Sequence, residues 1–397
     1  MNNFVRQGWI PVWFLTAGHF LSDFYQNFLP AILPLVMPKL ALSLTTSGLL
    51  VMTFSFTSSI LQPVIGYYID KKGCTWLLLV TLPVSAIFIC SAALSVAVWQ
   101  LFFCITLAGL AAAIFHPLAA ALLGKISPPE SRGASMSVFI GGGNIGVAAA
   151  PASFIFFVLT FGTANLPWLA VPGILLTVLF YLRGTHRISL ISAEKSGAVV
   201  KSPAPPWYKS LNLLKLNLVM GLRSWPQVAI PNFLIIWLTQ QGHSPALSGS
   251  LLTTFLLGGA VGSVAGGYAC DKLGRKKSVI GILLLAVPLI YFFFTAAQID
   301  FFTYLLLGLS GALLQGVLPA SMVWAQEMLP ANAAMASGMM LGLSFGLGGL
   351  GAAVTGALAD AIGLQQALLW TMAPLLAAAL ITTMIPEKEA VLAEKHF

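Results

Sequence analysis

Long apolar stretches dominate the chain and recur from one end to the other, separated by short polar connections. Each stretch has about 20 residues or more, which is the length that an α-helix needs to cross the hydrocarbon core of a bilayer. The pattern predicts about twelve membrane-spanning helices, near residues 10–36, 46–68, 75–95, 98–124, 133–157, 164–183, 211–239, 247–268, 278–297, 301–328, 334–358 and 364–385.

Composition favours a membrane protein over a soluble one. Of the 397 residues, 58% are hydrophobic and only 8% are charged, whereas soluble domains carry about 25% charged residues. The first apolar stretch is too long for the core of a signal peptide, and no small-residue cleavage site follows it. We therefore predict an all-α integral membrane protein that keeps its first helix.

Lys and Arg are distributed unevenly among the connections. With both termini in the cytoplasm, all of the 19 Lys and Arg residues except Lys39 and Arg223 fall on cytoplasmic segments. This asymmetry predicts a multi-pass protein of the inner (plasma) membrane with both termini cytoplasmic. The net charge of +8 then follows from topology, and no basic face of a soluble domain indicates nucleic-acid binding. None of the four cysteines has zinc or redox spacing, so no metal and no cofactor is expected.

One short pattern occurs twice, about half a chain apart, and each copy follows an even-numbered span. We call it the loop motif, and its two copies contain Gly66, Asp70 and Gly73, and Gly267, Asp271, Gly274 and Arg275. A pattern that recurs in the same order predicts two like halves, and in a membrane protein it indicates a transporter with its site between them. We place the halves at residues 1–183 and 210–397, with a polar, proline-broken cytoplasmic linker at 184–209.

The loop motif has the residue types of a conformational latch. Its glycines allow close helix approach and a tight turn. Its aspartate can cap the N-terminus of a neighbouring helix, where the helix dipole favours negative charge. The alternative for a single copy is a common connector between two helices, and the occurrence of two equivalent copies favours the latch.

The paired loop motif resembles that of the major facilitator superfamily, and the second copy matches it fully. A narrower resemblance is to the fosmidomycin-resistance branch of efflux proteins. It rests on the segments Gly18-His19-Phe-Leu-Ser-Asp23, Leu61-Gln62-Pro63-Val64, Phe115-His116-Pro117, Gly142-Gly143-Asn144, Ala325-Gln326-Glu327 and the glycine-rich stretch from Gly342 to Asp360.

The resemblance implies two six-helix bundles related by a pseudo-two-fold axis, with the first, fourth, seventh and tenth spans around a central cavity. It also implies a monomeric secondary transporter whose partners are a small-molecule substrate, protons and membrane lipid. The fourth span lacks the arginine that many proton antiporters of the superfamily carry there.

Protonatable residues lie inside the first and fourth spans. His19 and Asp23 are four residues apart, so they share one face of the first helix. Asp23 lies near the middle of the membrane, where inserting an aspartate costs about 2.5–3.5 kcal/mol, so it must face a cavity or a partner. Together with His116, these residues are the predicted proton-coupling site. The alternatives are a structural hydrogen-bonded carboxylate and an ordinary core histidine.

Arg223 lies inside the seventh span, nearly equivalent to Asp23 in the other half. Its two-pronged guanidinium suits a phosphonate or carboxylate, and Pro226 is predicted to break the helix beside it. We predict an anion anchor, with a structural ion pair to Asp23 as the alternative. Glu327, at the cytoplasmic end of the tenth span, is predicted to act as a gate. The other predicted substrate-binding residues are Gln26, Asn27, Trp225, Gln227 and Gln315.

These features favour proton-coupled efflux of a small anionic or amphipathic compound by alternating access, with fosmidomycin as the example that the resemblance supplies. Import of a small organic anion by the same scaffold remains the nearest alternative, because sequence does not set direction. An integral membrane enzyme is disfavoured, because the chain shows no metalloprotease motif, paired catalytic carboxylates or Cys/His cluster. A sensor would carry a signalling domain, and none is found.

Overall fold

The computed structural model describes residues 9–127, 132–188, 190, 210–328 and 339–386, and no strand occurs among them. The helices of the first half are α1 (Ile10–Gln26), α2 (Leu29–Leu40), α3 (Leu44–Ser55), α4 (Gln62–Lys72), α5 (Leu78–Ala92), α6 (Val98–Ile126), α7 (Arg132–Phe161) and α8 (Val171–Leu182). Those of the second half are α9 (Leu211–Gln240), α10 (Pro245–Leu273), α11 (Arg275–Thr295), α12 (Phe301–Met328), α13 (Ser344–Ile362), α14 (Leu364–Trp370) and α15 (Met372–Thr383).

Ten stretches of the described chain are long and apolar enough to cross a membrane, and they coincide with ten of the predicted spans. The two remaining predicted spans, 10–36 and 211–239, are helical as well. The seventh span is the single helix α9, which continues through Pro226. The predicted break at Pro226 is therefore wrong, because one missing N–H removes only one helical hydrogen bond and packed neighbours keep the turn in place.

The break occurs in the first span instead. α1 ends at Gln26 and α2 begins at Leu29, with Pro30 in its first turn, a position that proline favours because its missing N–H would have no partner there. Asn27 closes α1, since its backbone N–H and its side-chain amide both donate to the carbonyl of Asp23, at 3.2 and 2.9 Å. The helix of the first span is thus interrupted one turn after Asp23.

The two halves meet along α3 and α13, where glycines bring the backbones together. A Cβ on Gly48 would lie 2.7 Å from the carbonyl oxygen of Ala352, and one on Gly356 would lie 2.2 Å from that of Leu44. Only a residue without a Cβ fits at such distances. We call this contact between the halves the glycine seam.

Asp360 fastens one end of the glycine seam. Its carboxylate accepts three hydrogen bonds from the start of α3, from the N–H of Leu44 at 3.0 Å, the N–H of Thr45 at 2.8 Å and the Thr45 hydroxyl at 2.6 Å. The first N–H groups of a helix have no partner within it and favour an anion. A residue of the second half therefore caps a helix of the first. We call this the Asp360 end of the molecule, and the opposite end, with Gly73 and Gly274, the loop-motif end.

Candidate functional site

Three protonatable side chains converge in the first half, as the sequence predicts. His19 Nε2 lies 3.3 Å from Asp23 Oδ2 on α1, and His116 Nε2 on α6 lies 3.4 Å from Asp23 Oδ1. We call these three residues the His–Asp–His cluster. Their side chains are 11%, 16% and 23% exposed for His19, Asp23 and His116, so the cluster is mostly buried but not sealed.

The neighbours of the cluster determine where its protons are. His19 Nδ1 lies 2.8 Å from the carbonyl oxygen of Phe139, which can only accept, so Nδ1 donates. The side-chain nitrogen of Gln26 is identified by its 3.2 Å bond to the carbonyl of Ser22, and the same nitrogen lies 3.1 Å from His116 Nε2. The same nitrogen also lies 3.1 Å from the Ser22 hydroxyl and 3.4 Å from Asp23 Oδ1, so its two hydrogens serve four neighbouring acceptors. In the neutral His19 ring, Nε2 therefore presents its lone pair to the Asp23 carboxylate.

The lone pair of His19 Nε2 and the Asp23 carboxylate repel each other unless a proton lies between them. A proton on the carboxylate or on His19 Nε2 converts this repulsion into a hydrogen bond. The geometry of the His–Asp–His cluster thus suits one added proton between Asp23 and His19. Gln26, which we predicted to bind substrate, lies at this cluster, and Asn27 lies at the end of α1.

α7 closes the other side of the cluster through two residues that the sequence analysis did not assign to the site. The ring of Phe139 stacks on His19 with centroids 4.1 Å apart. A Cβ on Gly143 would lie 2.5 Å from Asp23 Oδ2 and 2.7 Å from His19 Cε1. The segment Gly142-Gly143-Asn144 was visible in the sequence, but its partner across the bundle was not.

Arg223 occupies the second half in a different setting. Its side chain is fully buried. Its guanidinium donates to the carbonyl of Leu314, to Gln315 Oε1 at 2.9 Å and to the Ser224 hydroxyl at 3.4 Å. No described carboxylate forms an ion pair with it. The alternative of an ion pair with Asp23 is therefore wrong for this structure, since Asp23 is surrounded by the two histidines.

A buried guanidinium held only by neutral acceptors lacks the counter-charge that normally offsets its loss of hydration, which costs several kcal/mol. Gln315, predicted as a substrate ligand, is in direct contact with it. The side-chain oxygen of Gln227 is buried without a hydrogen-bond partner among the described residues. Trp225, which is also a predicted substrate-binding residue, packs between helices, since its indole N–H donates to the Thr355 hydroxyl at 2.8 Å.

The loop-motif end contains the predicted gate. Glu327, at the end of α12, forms an ion pair with Arg275, the first residue of α11. Both groups belong to the second half, so the pair joins the second copy of the loop motif to the tenth span. Both side chains are partly exposed, at 31% for Arg275 and 45% for Glu327, and an exposed pair contributes about 1 kcal/mol or less to stability.

The glycines of the loop motif have matching surroundings in the two copies. A Cβ on Gly66 would lie 3.6 Å from Pro117, and one on Gly267 would lie 3.8 Å from Pro319. The last glycine of each copy, Gly73 or Gly274, has a positive φ, of 62° and 82°, which side chains rarely tolerate. The side chains of Asp70 and Asp271 lie outside the described part of the structure, so their predicted latch contacts remain a prediction.

Comparison with known proteins decides the family. The model of the Major Facilitator Superfamily matches residues 15–238 and 218–396. The chain belongs to the major facilitator superfamily. Among its curated relatives is the fosmidomycin resistance protein of Escherichia coli, 29% identical over 356 residues, which cover 87% of this chain and 85% of the relative. Another is YfnC of Bacillus subtilis, an uncharacterised MFS-type transporter, 30% identical over 363 residues, or 88% and 87% of the two chains.

Solved structures of the superfamily share the fold. A bacterial homologue of the human lysosomal transporter Spinster, in an inward-facing and occupied conformation, superposes with a TM-score of 0.77 at 15% identity, covering 94% of this chain and 96% of that one. The nucleoside transporter NupG gives a TM-score of 0.76 at 16% identity, covering 95% and 99%. The predicted all-α membrane fold of the major facilitator type is confirmed, with ten of the twelve predicted spans found among the described residues, and so is the prediction of a membrane transporter.

Proposed function

We propose that the protein is a proton-coupled secondary transporter that exports a small anionic or amphipathic compound by alternating access. The main support is the placement of two complementary sites on equivalent spans of the two halves. One is the His–Asp–His cluster, in which the Asp23 carboxylate lies within 3.4 Å of an imidazole nitrogen on each side. The other is Arg223, a buried cation held only by neutral acceptors among the described residues.

Asp23 is the proposed proton carrier, with His19 and His116 as its partners. Its carboxylate lies between two imidazole nitrogens, so a proton can move among the three groups with little motion of heavy atoms. The broken first span supports this assignment, because discontinuous membrane helices are tolerated where they line a site. Opening the cluster to one side of the membrane and then to the other would carry one proton across.

Arg223 is the proposed anchor for the anionic group of the substrate. A phosphonate or carboxylate would accept hydrogen bonds from the guanidinium N–H groups that now donate to the Leu314 carbonyl and Gln315. Such charge-assisted hydrogen bonds are about twice as strong as neutral ones. Because Arg223 is fully buried in this conformation, binding requires the halves to part. Gln227, with its unsatisfied oxygen, is a candidate acceptor for a donor group of the substrate.

The name of the Escherichia coli relative, a fosmidomycin resistance protein, supports export of a compound of this class. Import of a small organic anion is the second candidate. The Lys and Arg distribution supports an inner-membrane protein with the loop-motif end and both termini in the cytoplasm. We propose halves at 1–183 and 210–397 joined by the linker 184–209, in a protein that works as a monomer with protons, substrate and lipid as its partners.

Transport by the purified protein in liposomes tests the proton assignment. With an imposed pH gradient, Asp23→Asn should abolish gradient-driven transport while keeping exchange of substrate across the membrane without a gradient. The matched control is Asp300→Asn, since Asp300 caps its own helix through the N–H of Thr303 at 2.9 Å and lies outside both proposed sites. Full gradient-driven transport by Asp23→Asn would overturn the assignment.

Direction and substrate need separate experiments. Inside-out vesicles with an imposed pH gradient distinguish export, which loads the vesicles, from import, which empties them. A strain lacking the protein and a strain overproducing it should differ in sensitivity to fosmidomycin if the relative's activity extends to this chain. Equal sensitivity would remove fosmidomycin from the proposal and leave the wider class to a screen of other anionic compounds.

A further inference from the structure

The ligand atoms of the His–Asp–His cluster have a second property beyond proton binding. His19 Nε2, His116 Nε2 and a carboxylate oxygen of Asp23 all lie within 4.8 Å of one another. The two N···O distances are 3.3 and 3.4 Å. Two ligands on a tetrahedral Zn²⁺ with bonds of about 2.0–2.1 Å lie about 3.3–3.4 Å apart. The two distances run to different oxygens of Asp23, so one ion shared by the three residues would use both carboxylate oxygens or draw the side chains slightly together. Both distances are longer than the roughly 2.7–2.9 Å of a charge-assisted hydrogen bond.

The protonation of the cluster also suits a metal. A metal needs neutral imidazoles that point lone pairs at it, and Nε2 is the unprotonated nitrogen of the neutral His19 ring. His116 would bind through Nε2 in the tautomer protonated on Nδ1, in place of its present contact with the Gln26 amide. The other nitrogen of His19 donates to the Phe139 carbonyl at 2.8 Å. This second hydrogen bond is the usual support of a metal-binding histidine, since it fixes the tautomer and the direction of the ring.

We propose that His19, Asp23 and His116 form a binding site for one divalent d-block cation of the Zn²⁺ class, with the fourth position open to water. Two imidazoles and a carboxylate suit Zn²⁺, Co²⁺ or Ni²⁺, whereas Mg²⁺ and Ca²⁺ require oxygen ligands. The three side chains are 11–23% exposed, which leaves a path for the ion. The cysteine and histidine spacings of the sequence gave no indication of it, because His116 comes from another helix.

Metal and proton exclude each other at this site. The described titratable groups that face it are the three ligands themselves, since α7 contributes the Phe139 carbonyl and Gly143, neither of which titrates. A bound metal needs all three deprotonated, so acid must weaken binding. The inference goes beyond the proposed function, because the ion is bound where the proton would be carried and would stop proton-coupled cycling.

The test is calorimetric titration of Zn²⁺ into purified protein from which any histidine affinity tag has been removed. We expect one ion per chain, at least about tenfold weaker binding in Asp23→Asn and in His116→Ala, and weaker binding at about pH 6 than at about pH 7.5. The control variant is His243→Ala, which changes a histidine in the connection between α9 and α10. Unchanged affinity in both ligand variants, or binding independent of pH, would overturn the site.

Co²⁺ gives a measurement on the unaltered protein, which protects the test against variants that fail to fold. Bound between two imidazoles and a carboxylate, Co²⁺ should show the intense visible bands of four-coordinate cobalt, and Zn²⁺ should remove them. Weak bands of six-coordinate cobalt would overturn the proposal. Neither experiment involves transport. The metal site can therefore be refuted while proton coupling is upheld, and proton coupling can be refuted while the metal site is upheld.

Discussion

The carboxylate of Asp360 offers the sharpest test of how the halves are held together. It caps α3 of the other half with two backbone N–H groups and one hydroxyl, from Leu44 and Thr45. Asp360→Ala removes all of these acceptors at once. Loss of an N-terminal cap costs about 0.5–2 kcal/mol. Here the loss destabilises only those conformations in which the halves touch at the Asp360 end.

A cost of about 0.5–2 kcal/mol corresponds to about a 2- to 30-fold shift in the ratio of closed to open molecules at that end, since 1.4 kcal/mol is a factor of ten. Asp360→Asn keeps one acceptor oxygen and should shift the ratio less. The matched control is Asp300→Ala, which removes a carboxylate cap that serves Thr303 on its own helix and joins no two halves.

Distances between spin labels on Val96 and His243, one in each half at the Asp360 end, report the ratio directly. The four native cysteines, all free thiols, are replaced first. We expect the long-distance population to grow in the order Asp300→Ala, Asp360→Asn, Asp360→Ala. If Asp360→Ala and Asp300→Ala gave the same distribution as the parent, the cap would not hold the halves and the energetic argument would be refuted.

Three further outcomes are expected. Gly143→Ala should lower gradient-driven transport about tenfold or more by displacing the Asp23 carboxylate, while Gly141→Ala, whose Cβ meets nothing within 4 Å, should match the parent in the same liposome assay. Reversing the charge of Arg275 or of Glu327 alone should lower the transport rate, and exchanging the two charges should restore much of it. If the exchange restored nothing, the transport rate would not depend on their ion pair. Arg223→Lys should weaken substrate binding markedly, because one ammonium cannot reproduce a planar fork; equal affinity by calorimetry would remove the anchor.

The features that the sequence predicts correctly follow from physical rules that act along one helix. Apolar length located ten spans that the structure describes as helices long enough to cross a membrane, because hydrocarbon tolerates little else. The four-residue spacing of His19 and Asp23 placed them together, since both lie on one continuous helix. The pairing of His116 with Asp23 depends on how α6 packs on α1, and only its position on a cavity-lining span could be anticipated.

Two expectations differ from the structure, for different reasons. Pro226 was expected to interrupt its helix, yet the break lies at Asn27, where a side chain competes for the backbone and a proline follows. The alternative for Arg223 is an ion pair with Asp23 on the matching helix, yet Arg223 bonds to neutral groups of α12. The break at Asn27 is local, whereas the partners of Arg223 depend on how α12 packs on α9, which residue type and spacing along one helix do not encode.

The glycine seam has a consequence for the speed at which the halves can part. Gly48 and Gly356 contribute backbone to the contact and no side chain, so at these two positions no side chain of either glycine must leave a pocket when the helices separate. A glycine also buries less apolar area than any larger residue, and apolar burial contributes about 25 cal/mol per Å². The glycine seam therefore brings the two backbones close together while contributing little to stability. We expect a leucine in place of one of its glycines to hold the protein in one conformation rather than merely to destabilise it.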